Sequence, residues 1–151
     1  MSLRQKVDDE LKAAMKASLR DRLDTIRLLK SAVKYREIEL GASLDDAAVA
    51  TVVNSLVKQR RDSVEQYRAG GRPEQAAKEE AEVSVLQEFL PAQLSAAEVS
   101  VLVELAVAES GAQGPKDMGA VMKILKEKVA GRADGKSLSD AVRTRLSGAA
   151  N

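Results

Sequence analysis

Apolar residues in this chain recur every three to four positions along almost its whole length. Between residues 118 and 129 the pattern is complete, with apolar side chains at Met118, Val121, Met122, Leu125 and Val129. This spacing matches the 3.6-residue turn of an α-helix, and no stretch alternates with the two-residue period of a strand. Aromatic residues make up only 2% of the chain, so the core must be aliphatic, which suits helix-on-helix packing. The pattern predicts an all-α fold.

Seven helix start signals and five helix stop signals divide this pattern. The predicted starts are Ser2, Leu19–Asp21, the Ser-x-x-acid capping box Ser43–Asp46, Pro73, a second capping box Ser95–Glu98, Pro115, and either Asp134 or Ser137. The predicted stops are Gly41, Gly70–Gly71, Pro91, Gly111 and Gly131. We therefore expect seven amphipathic helices, the first of which buries a stripe formed by Leu3, Val7, Leu11 and Met15.

The segment from Pro91 to Leu94 separates two groups of predicted helices. Four helices precede it, with short connections that favour antiparallel neighbours, and three follow it. We therefore predict an N-terminal helical domain over residues 1–91 and a small three-helix C-terminal domain over residues 92–151.

The residue types give little support for chemistry. The chain has no Cys and no His, which removes thiolate metal sites, the commonest zinc ligand and the usual general base. The pairs Lys16–Ser18 and Lys136–Ser137 lie at predicted helix ends, where a capping role is sufficient for the serines. A solvated surface is the preferred explanation of the acidic clusters Asp8–Glu10 and Glu79–Glu80, and a divalent-metal site is the alternative. We expect a non-catalytic protein without a metal or a cofactor.

The location of the protein is predicted from what its sequence does not contain. The N-terminal residues become polar at once, and no run approaches the roughly 18 apolar residues of a membrane span. We expect a cytoplasmic protein that has no membrane partner.

Positive charge is concentrated near the C-terminus. Lys and Arg total 24 in the whole chain against 23 Asp and Glu, but residues 115–147 hold eight basic and four acidic residues, a local net charge of +4. Lys116, Gly119, Lys123 and Lys126 are spaced 3, 4 and 3 apart, which places them on one face of the sixth predicted helix. Basic residues grouped in this way are typical of a surface that binds phosphates.

Gly119 and the neighbouring turn shape this candidate surface. A glycine within the lysine face allows a sugar-phosphate backbone or a partner helix to approach closely, and the helix start at Pro115 is expected to present free N–H groups to an anion. The turn after the helix adds Arg132 and Lys136, and Arg143 follows on the face of Lys136. The alternative is that Gly119 only permits tight helix packing and that the lysines only keep the protein soluble.

A second basic stripe lies on the second predicted helix. Arg20, Arg27 and Lys34 recur every seven residues, with Lys30 alongside, and form either a solvated face or a ridge that contacts phosphates. The three aromatic residues, Tyr35, Tyr67 and Phe89, are expected to be at least partly buried. Stacking of single-stranded bases is therefore disfavoured, and recognition of folded RNA by shape and phosphate contacts is left open.

The chain resembles the YqeY family, the stand-alone relatives of the C-terminal tail domain of the amidotransferase B subunit. The residues that carry the resemblance are Arg27–Ala32 with Glu37–Glu39, Gln59–Ser63 with Tyr67 and Gly70, Phe89–Pro91 with Gln93–Leu94, Lys116–Gly119 with Val121–Met122, and Gly131–Gly135. Their order and spacing over nearly the whole length make the match specific, although each motif alone is weak.

This resemblance implies four N-terminal and three C-terminal helices and a link to glutamine-dependent amidation of tRNA. The amidotransferase tail domain is associated with gripping tRNA, while the kinase and amidase chemistry lies in parts that this chain lacks. We therefore expect a non-catalytic accessory module that binds tRNA or a tRNA-modifying or aminoacyl-tRNA enzyme. The alternatives are a protein-interaction module, and a component of a carbon–nitrogen ligase that uses glutamine as amido donor.

Overall fold

The computed structural model describes residues 2–148, and within this range only helices and turns form. The helices are α1 (Leu3–Lys16), α2 (Arg20–Leu40), α3 (Asp46–Ala69), α4 (Pro73–Gln87), α5 (Ala96–Ser110), α6 (Met118–Val129) and α7 (Gly135–Gly148), with a 3-10 turn over Pro115–Asp117 before α6. The prediction of an all-α fold is confirmed.

Side-chain caps explain where several helices begin. The Ser95 hydroxyl accepts a hydrogen bond from the Glu98 amide at 3.1 Å, and the Glu98 carboxylate accepts one from the Ser95 amide at 3.0 Å, which completes the predicted capping box. The hydrogen bond from the Ser95 amide to the carboxylate, with a smaller contribution from the Ser95 side chain, holds the pKa of Glu98 below its ordinary value. The carboxylate of Asp134 accepts from the Ser137 amide at 2.7 Å, so Asp134 caps α7 and Ser137 does not.

The third helix begins later than its sequence signal predicted. Asp45 caps α3 by accepting a hydrogen bond from the Ala48 amide at 2.9 Å, so the predicted capping box starting at Ser43 is wrong. The carboxylate of Asp46, which that box required, accepts from the amide of Leu3 at 2.8 Å instead. Ser43 and Asp45 are both suited to cap a helix, and the structure uses Asp45, while the Asp46 carboxylate is engaged with α1.

Contacts between Cα atoms divide the chain into two compact units, residues 1–91 and residues 92–151. The core of the N-terminal unit consists of Val7, Ala14, Ile26, Leu29, Val33, Leu44, Val49, Val53, Leu56, Val57, Val83, Leu86 and Phe89. The core of the C-terminal unit consists of Val99, Val103, Ala106, Val107, Val121, Leu125, Val129, Leu138, Val142 and Leu146. Each unit therefore has an aliphatic core of its own, and Phe89 is the single aromatic residue among these core residues.

The predicted stripe of α1 is correct at its start and wrong at its end. Val7 is fully buried, but Met15 is 53% exposed, and Ala14 is buried in its place. Each four-residue step overshoots a 3.6-residue turn by about 40°, so three such steps carry Met15 away from the core line.

Ion pairs join the helices of the N-terminal unit. Arg4 lies 3.1 Å from Asp8 and 3.1 Å from Glu37, and Lys30 lies 3.1 Å from Asp8, so these four residues link α1 to α2. Burial raises the pKa of Asp8, but the charges of Lys30 and Arg4 outweigh it, and this pKa lies below its ordinary value. The pKa of Glu37 is also lowered, because its carboxylate accepts from the Leu44 amide and faces Arg4.

Candidate nucleic-acid interface

The helix that carries the candidate surface begins with a 3-10 turn and not, as predicted, with an α-helical turn at Pro115. Pro115–Asp117 form this turn, and α6 runs from Met118 to Val129. Within the turn, the Asp117 amide donates to the Gly114 carbonyl at 3.0 Å and the Met118 amide donates to the Pro115 carbonyl. The expectation of free N–H groups from Pro115 to Met118 is therefore wrong for these two amides. The Asp117 carboxylate, which accepts from the Gln113 amide at 2.9 Å, adds negative charge there.

One side of α6 packs into the core as predicted. Val121, Leu125 and Val129 are fully or almost fully buried, and Met118 and Met122 pack against the same core at partial exposure. This side contacts α5 and α7, which fixes the rotation of the helix about its axis. The residues on its remaining sides consequently have defined positions in the unit.

Lys116, Gly119, Lys123 and Lys126, which we call the lysine face, are all exposed. Counted at about 100° per residue from the buried Leu125, Lys126 lies at about 100°, Gly119 at about 120° and Lys123 at about 160°. The lysine face thus extends from the flank of the core side toward the opposite side of α6. Within residues 2–148, none of the three lysines has an anionic side chain within 4.0 Å, so their ammonium groups are available to a ligand.

Gly119 leaves open space in the lysine face. A Cβ atom added at this position would meet no heavy atom within 4 Å among the described residues, apart from its chain neighbours and the local backbone of α6. Gly119 therefore does not seat another helix of this chain, and the interpretation that it serves tight internal packing does not hold. What remains is a gap beside three ammonium groups.

Two consecutive residues in the left-handed conformation end α6 and form the following turn. The predicted stop was Gly131, but Ala130 already has the left-handed conformation, with φ of 50°, and Gly131 follows with φ of 80°. The Ala130 amide donates to the Lys126 carbonyl at 3.0 Å, which closes the last helical turn. The left-handed conformation therefore begins one residue before the glycine that is suited to it.

Arg132, in this turn, has an internal structural role. Its Nε donates to the Ala92 carbonyl at 3.1 Å, and its own carbonyl accepts from the Leu94 amide at 2.8 Å. Its positive charge also contributes to the lowered pKa of Glu98. Arg132 thus fastens the segment before α5 to the turn after α6, and only the exposed remainder of its guanidinium is available to a ligand.

The basic residues of α7 differ in their availability. Lys136 is exposed in the first turn of α7, whereas Arg143, also exposed, forms an ion pair with Asp140 at 3.1 Å. Arg145 pairs with Glu104 of α5, and Lys128 of α6 pairs with Glu109 of α5 at 2.7 Å. The helices of this unit therefore use Lys128 and Arg145 for internal pairing.

The second helix carries exposed residues that the sequence interpretation missed. Arg20, Arg27 and Lys34 are exposed as predicted, but Tyr35 is 67% exposed, so the expectation that all three aromatic residues are at least partly buried is wrong for it. Ile38 is 80% exposed on the same helix. The helical positions of both residues, far from the stripe of Leu29 and Val33, were the available signal for this exposure.

The part of the chain that the structure describes contains neither a candidate metal cluster nor a helix that could span a membrane. Between residues 2 and 148, no three His, Cys, Asp or Glu side chains are grouped so that they could hold a metal ion. In the same range, no helix combines the length and the apolar character that crossing a bilayer requires.

Comparison with known proteins identifies yeast relatives of part of this chain, some with a descriptive name and one uncharacterized. The chain is 35% identical over 82 residues to altered inheritance of mitochondria protein 41, mitochondrial, of Lachancea thermotolerans, a match that covers 54% of this chain and 44% of that protein. The protein of the same name from Saccharomyces cerevisiae is 33% identical over an equal length and coverage. An uncharacterized protein of Schizosaccharomyces pombe is 28% identical over 90 residues, covering 60% of this chain and 73% of that protein.

The extent of these matches limits what they transfer. The chain spans less than half of the length of the first two relatives, so the activities of those whole proteins do not follow from the likeness. The family description Yqey-like protein, in contrast, matches residues 4–146. This match includes all seven helices except the ends of α1 and α7. The chain therefore belongs to the YqeY family.

Proposed function

We propose that this protein is a non-catalytic accessory module that binds folded RNA, with tRNA as the favoured ligand, through the lysine face of α6. The observation that carries the proposal is the contrast within one unit between paired and unpaired basic residues. Lys128 and Arg145 pair with glutamates of α5, while Lys116, Lys123 and Lys126 surround an open glycine without an anionic partner in the described chain.

The chemistry of these side chains fits phosphates better than bases. Ammonium groups contact phosphate oxygens as mobile point charges, and such contacts position a nucleic acid without reading its sequence. The gap at Gly119 allows a backbone to come closer than a larger side chain would permit. No aromatic side chain occurs between residues 90 and 151, so base stacking is not part of this surface. These features support recognition by shape and charge.

The predicted contact residues form two groups in this proposal. Lys116, Lys123, Lys126 and the exposed Lys136 are primary contacts, since no internal ion pair restrains them. Arg132 and Arg143 are secondary contacts, because the first binds the Ala92 carbonyl and the second pairs with Asp140. The preference for tRNA over other folded RNA rests on the family resemblance to the amidotransferase tail domain.

Charge reversal in the lysine face tests the proposal. We expect Lys123→Glu with Lys126→Glu to lower the affinity for total tRNA by at least about tenfold at moderate salt, since two phosphate contacts become repulsive. The matched control is Lys12→Glu with Lys16→Glu, two exposed lysines of α1, which we expect to bind like the wild type. Unchanged affinity in the first variant, or an equal loss in both, would contradict the assignment. A duplex RNA of similar length measures the preference for tRNA.

Participation in carbon–nitrogen ligation stays a separate possibility that the family resemblance raises. It predicts amide formation from glutamine on aminoacyl-tRNA when the chain is combined with a ligase core. Under our proposal the purified chain binds tRNA and forms no amide. Amide formation by the chain alone would replace the accessory role with a catalytic one.

The compartment is also a proposal. The sequence favours the cytoplasm, whereas the names of the two yeast relatives place those proteins in mitochondria. Cell fractionation with an antibody against the native protein distinguishes the two compartments, and tRNA is a plausible ligand in either of them.

A further inference from the structure

The side of α2 that points away from its core combines exposed apolar side chains with unpaired positive charge. Leu28 is 45% exposed, and Tyr35 and Ile38 are more exposed still. Counted from the buried Leu29 at about 100° per residue, Ile38 lies at about 180°, Tyr35 at about 240° and Leu28 at about 260°. These three side chains form a ridge that is half-exposed at Leu28 and largely exposed at Tyr35 and Ile38.

A basic edge follows this ridge. Arg20, Arg27 and Lys34 lie at about 180°, 160° and 140° on the same scale, each separated from the next by about 10 Å along the helix axis. All three are exposed and lie farther than 4.0 Å from any carboxylate of residues 2–148. We call the ridge and this edge together the α2 outer face.

The other charged residues of α2 between Arg27 and Leu40 already form ion pairs within the chain. Lys30 pairs with Asp8, Glu37 with Arg4, and Arg36 with Glu39 at 3.0 Å. Between Arg27 and Leu40, the charge that the α2 outer face offers to a partner therefore comes from Arg27 and Lys34, and it is positive. Its ligand must supply apolar contacts in the middle and negative charge along one edge.

We propose that the α2 outer face docks an acidic amphipathic helix of a partner protein. The ridge from Leu28 to Ile38 extends for about 15 Å, the length of three helical turns, which a helix packed alongside α2 can cover. Carboxylates spaced seven residues apart on that helix match the seven-residue spacing of Arg27 and Lys34. Apolar anchors with a complementary charged edge are the usual means by which a helix is selected by a helical surface.

RNA fits this face less well than an acidic helix does. Phosphates could pair with the basic edge, and the exposed Tyr35 offers one ring for stacking. The other two residues of the ridge, Leu28 and Ile38, are aliphatic and offer a base no such surface. Asp24, exposed on the same side of α2 one turn before Leu28, repels phosphates.

A second copy of the chain also fits poorly. Two antiparallel α2 outer faces place their basic edges against each other, and two parallel ones place Asp24 opposite its own copy. A different protein with its own charge pattern avoids both repulsions.

A designed peptide can test the α2 outer face on the intact 151-residue chain. The probe is a helical peptide of about 20 residues with leucines at three- and four-residue spacing and glutamates every seven residues along one edge, and its matched control carries lysines in place of those glutamates. We expect the glutamate peptide to bind at least about tenfold more tightly than the lysine peptide, and NMR shift changes to cluster on α2.

Three variants decide the outcome. Ile38→Asp, at an exposed position that tolerates a charge, should weaken binding of the glutamate peptide about tenfold or more. Arg27→Glu with Lys34→Glu should reverse the preference in favour of the lysine peptide, while Lys12→Glu with Lys16→Glu should change neither affinity. The proposal is overturned by an unreversed preference, by shift changes outside α2, or by no saturable binding up to about 1 mM.

Competition experiments identify the other possible occupants. Displacement of the glutamate peptide by tRNA, lost in the Arg27→Glu with Lys34→Glu variant, would reassign the face to RNA. A wild-type dimer in sedimentation velocity that Ile38→Asp converts to a monomer would reassign it to a second copy. We expect neither result.

Discussion

Arginines of the N-terminal unit hold helices together, whereas the lysines of the lysine face contact no anionic side chain in the described chain. Arg22 bridges Glu10 of α1 and Glu88 after α4, and Arg60 of α3 pairs with Glu82 of α4 at 3.3 Å. The hydrogen bonds that Arg22 donates to the carboxylates of Glu88 and Glu10 raise its pKa. In the C-terminal unit, Lys128 links α6 to α5 through its ion pair with Glu109, whereas the lysines of the lysine face form no such link.

This difference shows that net charge alone does not identify a binding surface. Residues 1–41 and 115–147 have net charges of +3 and +4, close to one another. In the first segment Arg4, Arg22 and Lys30 form cross-helix ion pairs, whereas Arg20, Arg27 and Lys34 do not. In the second segment Lys128 and Arg145 pair with glutamates of α5, whereas the lysine face is unpaired in the described chain. Availability of a charge, and not its count, separates a structural residue from a candidate contact.

The largest expected effect tests whether the two units are separate folding domains. Phe89→Ala removes a fully buried ring and should lower the free energy of unfolding of the N-terminal unit by about 3–5 kcal/mol. Hydrogen exchange should show faster opening in α1–α4 and unchanged protection in α5–α7. Equal losses of protection in both units would show that they fold as one domain.

Removing an internal arginine should separate structural from available charge. Arg4→Ala leaves Asp8 and Glu37 without a shared partner and should cost about 1–2 kcal/mol in the free energy of unfolding. The control Arg36→Ala removes an exposed pair with Glu39 three residues away and should cost less than about 0.5 kcal/mol. Urea denaturation measures both costs. Equal costs would show that the partly buried ion pairs of Arg4 stabilise the protein no more than the exposed pair of Arg36 does.

Acid should weaken the same network. The pKa values of Asp8 and Glu37 are lowered in the folded chain relative to their ordinary values of 3.8 and 4.5, so both carboxylates contribute stability above those values. This contribution is lost as the pH falls through the ordinary values and then through the lower folded ones, because the unfolded chain binds protons first. Urea midpoints between pH 7 and pH 3 should fall less steeply for Asp8→Asn with Glu37→Gln than for the wild type. Parallel curves would exclude this linkage.

The smallest stability effect, at Gly119, separates stability from binding. Gly119→Ala should raise the free energy of unfolding by about 0.5 kcal/mol, because alanine favours the helix and its Cβ meets no neighbour. The same change should weaken tRNA binding if a backbone approaches there. A variant that is more stable and binds tRNA as tightly as the wild type would restrict the contacts to the lysine side chains.

Local signals predicted more of the fold than of the surface. The capping box at Ser95 and the core side of α6 could be predicted because each depends on residues within a few positions of one another. The start of α3 could not, since Asp45 and not Ser43 caps it and the Asp46 carboxylate accepts from the Leu3 amide, 43 residues away. The grouping of helices into two folding domains stays a prediction that hydrogen exchange can test.

In the candidate site, the sequence predicted which basic residues are exposed but not which of them bond to other residues of the chain. Helical spacing placed Lys123 and Lys126 on an exposed face, as the structure has them. No spacing rule indicated that Arg132 would bind the carbonyl of Ala92, 40 residues away, or that Lys128 would pair with Glu109. Such pairings depend on tertiary packing, whereas the exposure of Tyr35 follows from its position on α2 and could have been predicted.

The central claim is that the ammonium groups of the lysine face contact RNA phosphates, and the salt dependence of tRNA binding tests it most directly. Phosphate contacts release counterions, so the logarithm of the binding constant falls linearly with the logarithm of the salt concentration, by roughly one unit of slope per contact. Lys123→Gln with Lys126→Gln, which removes charge without adding repulsion, should make that slope shallower by about 2. A slope identical to that of the wild type would show that these lysines do not contact the RNA.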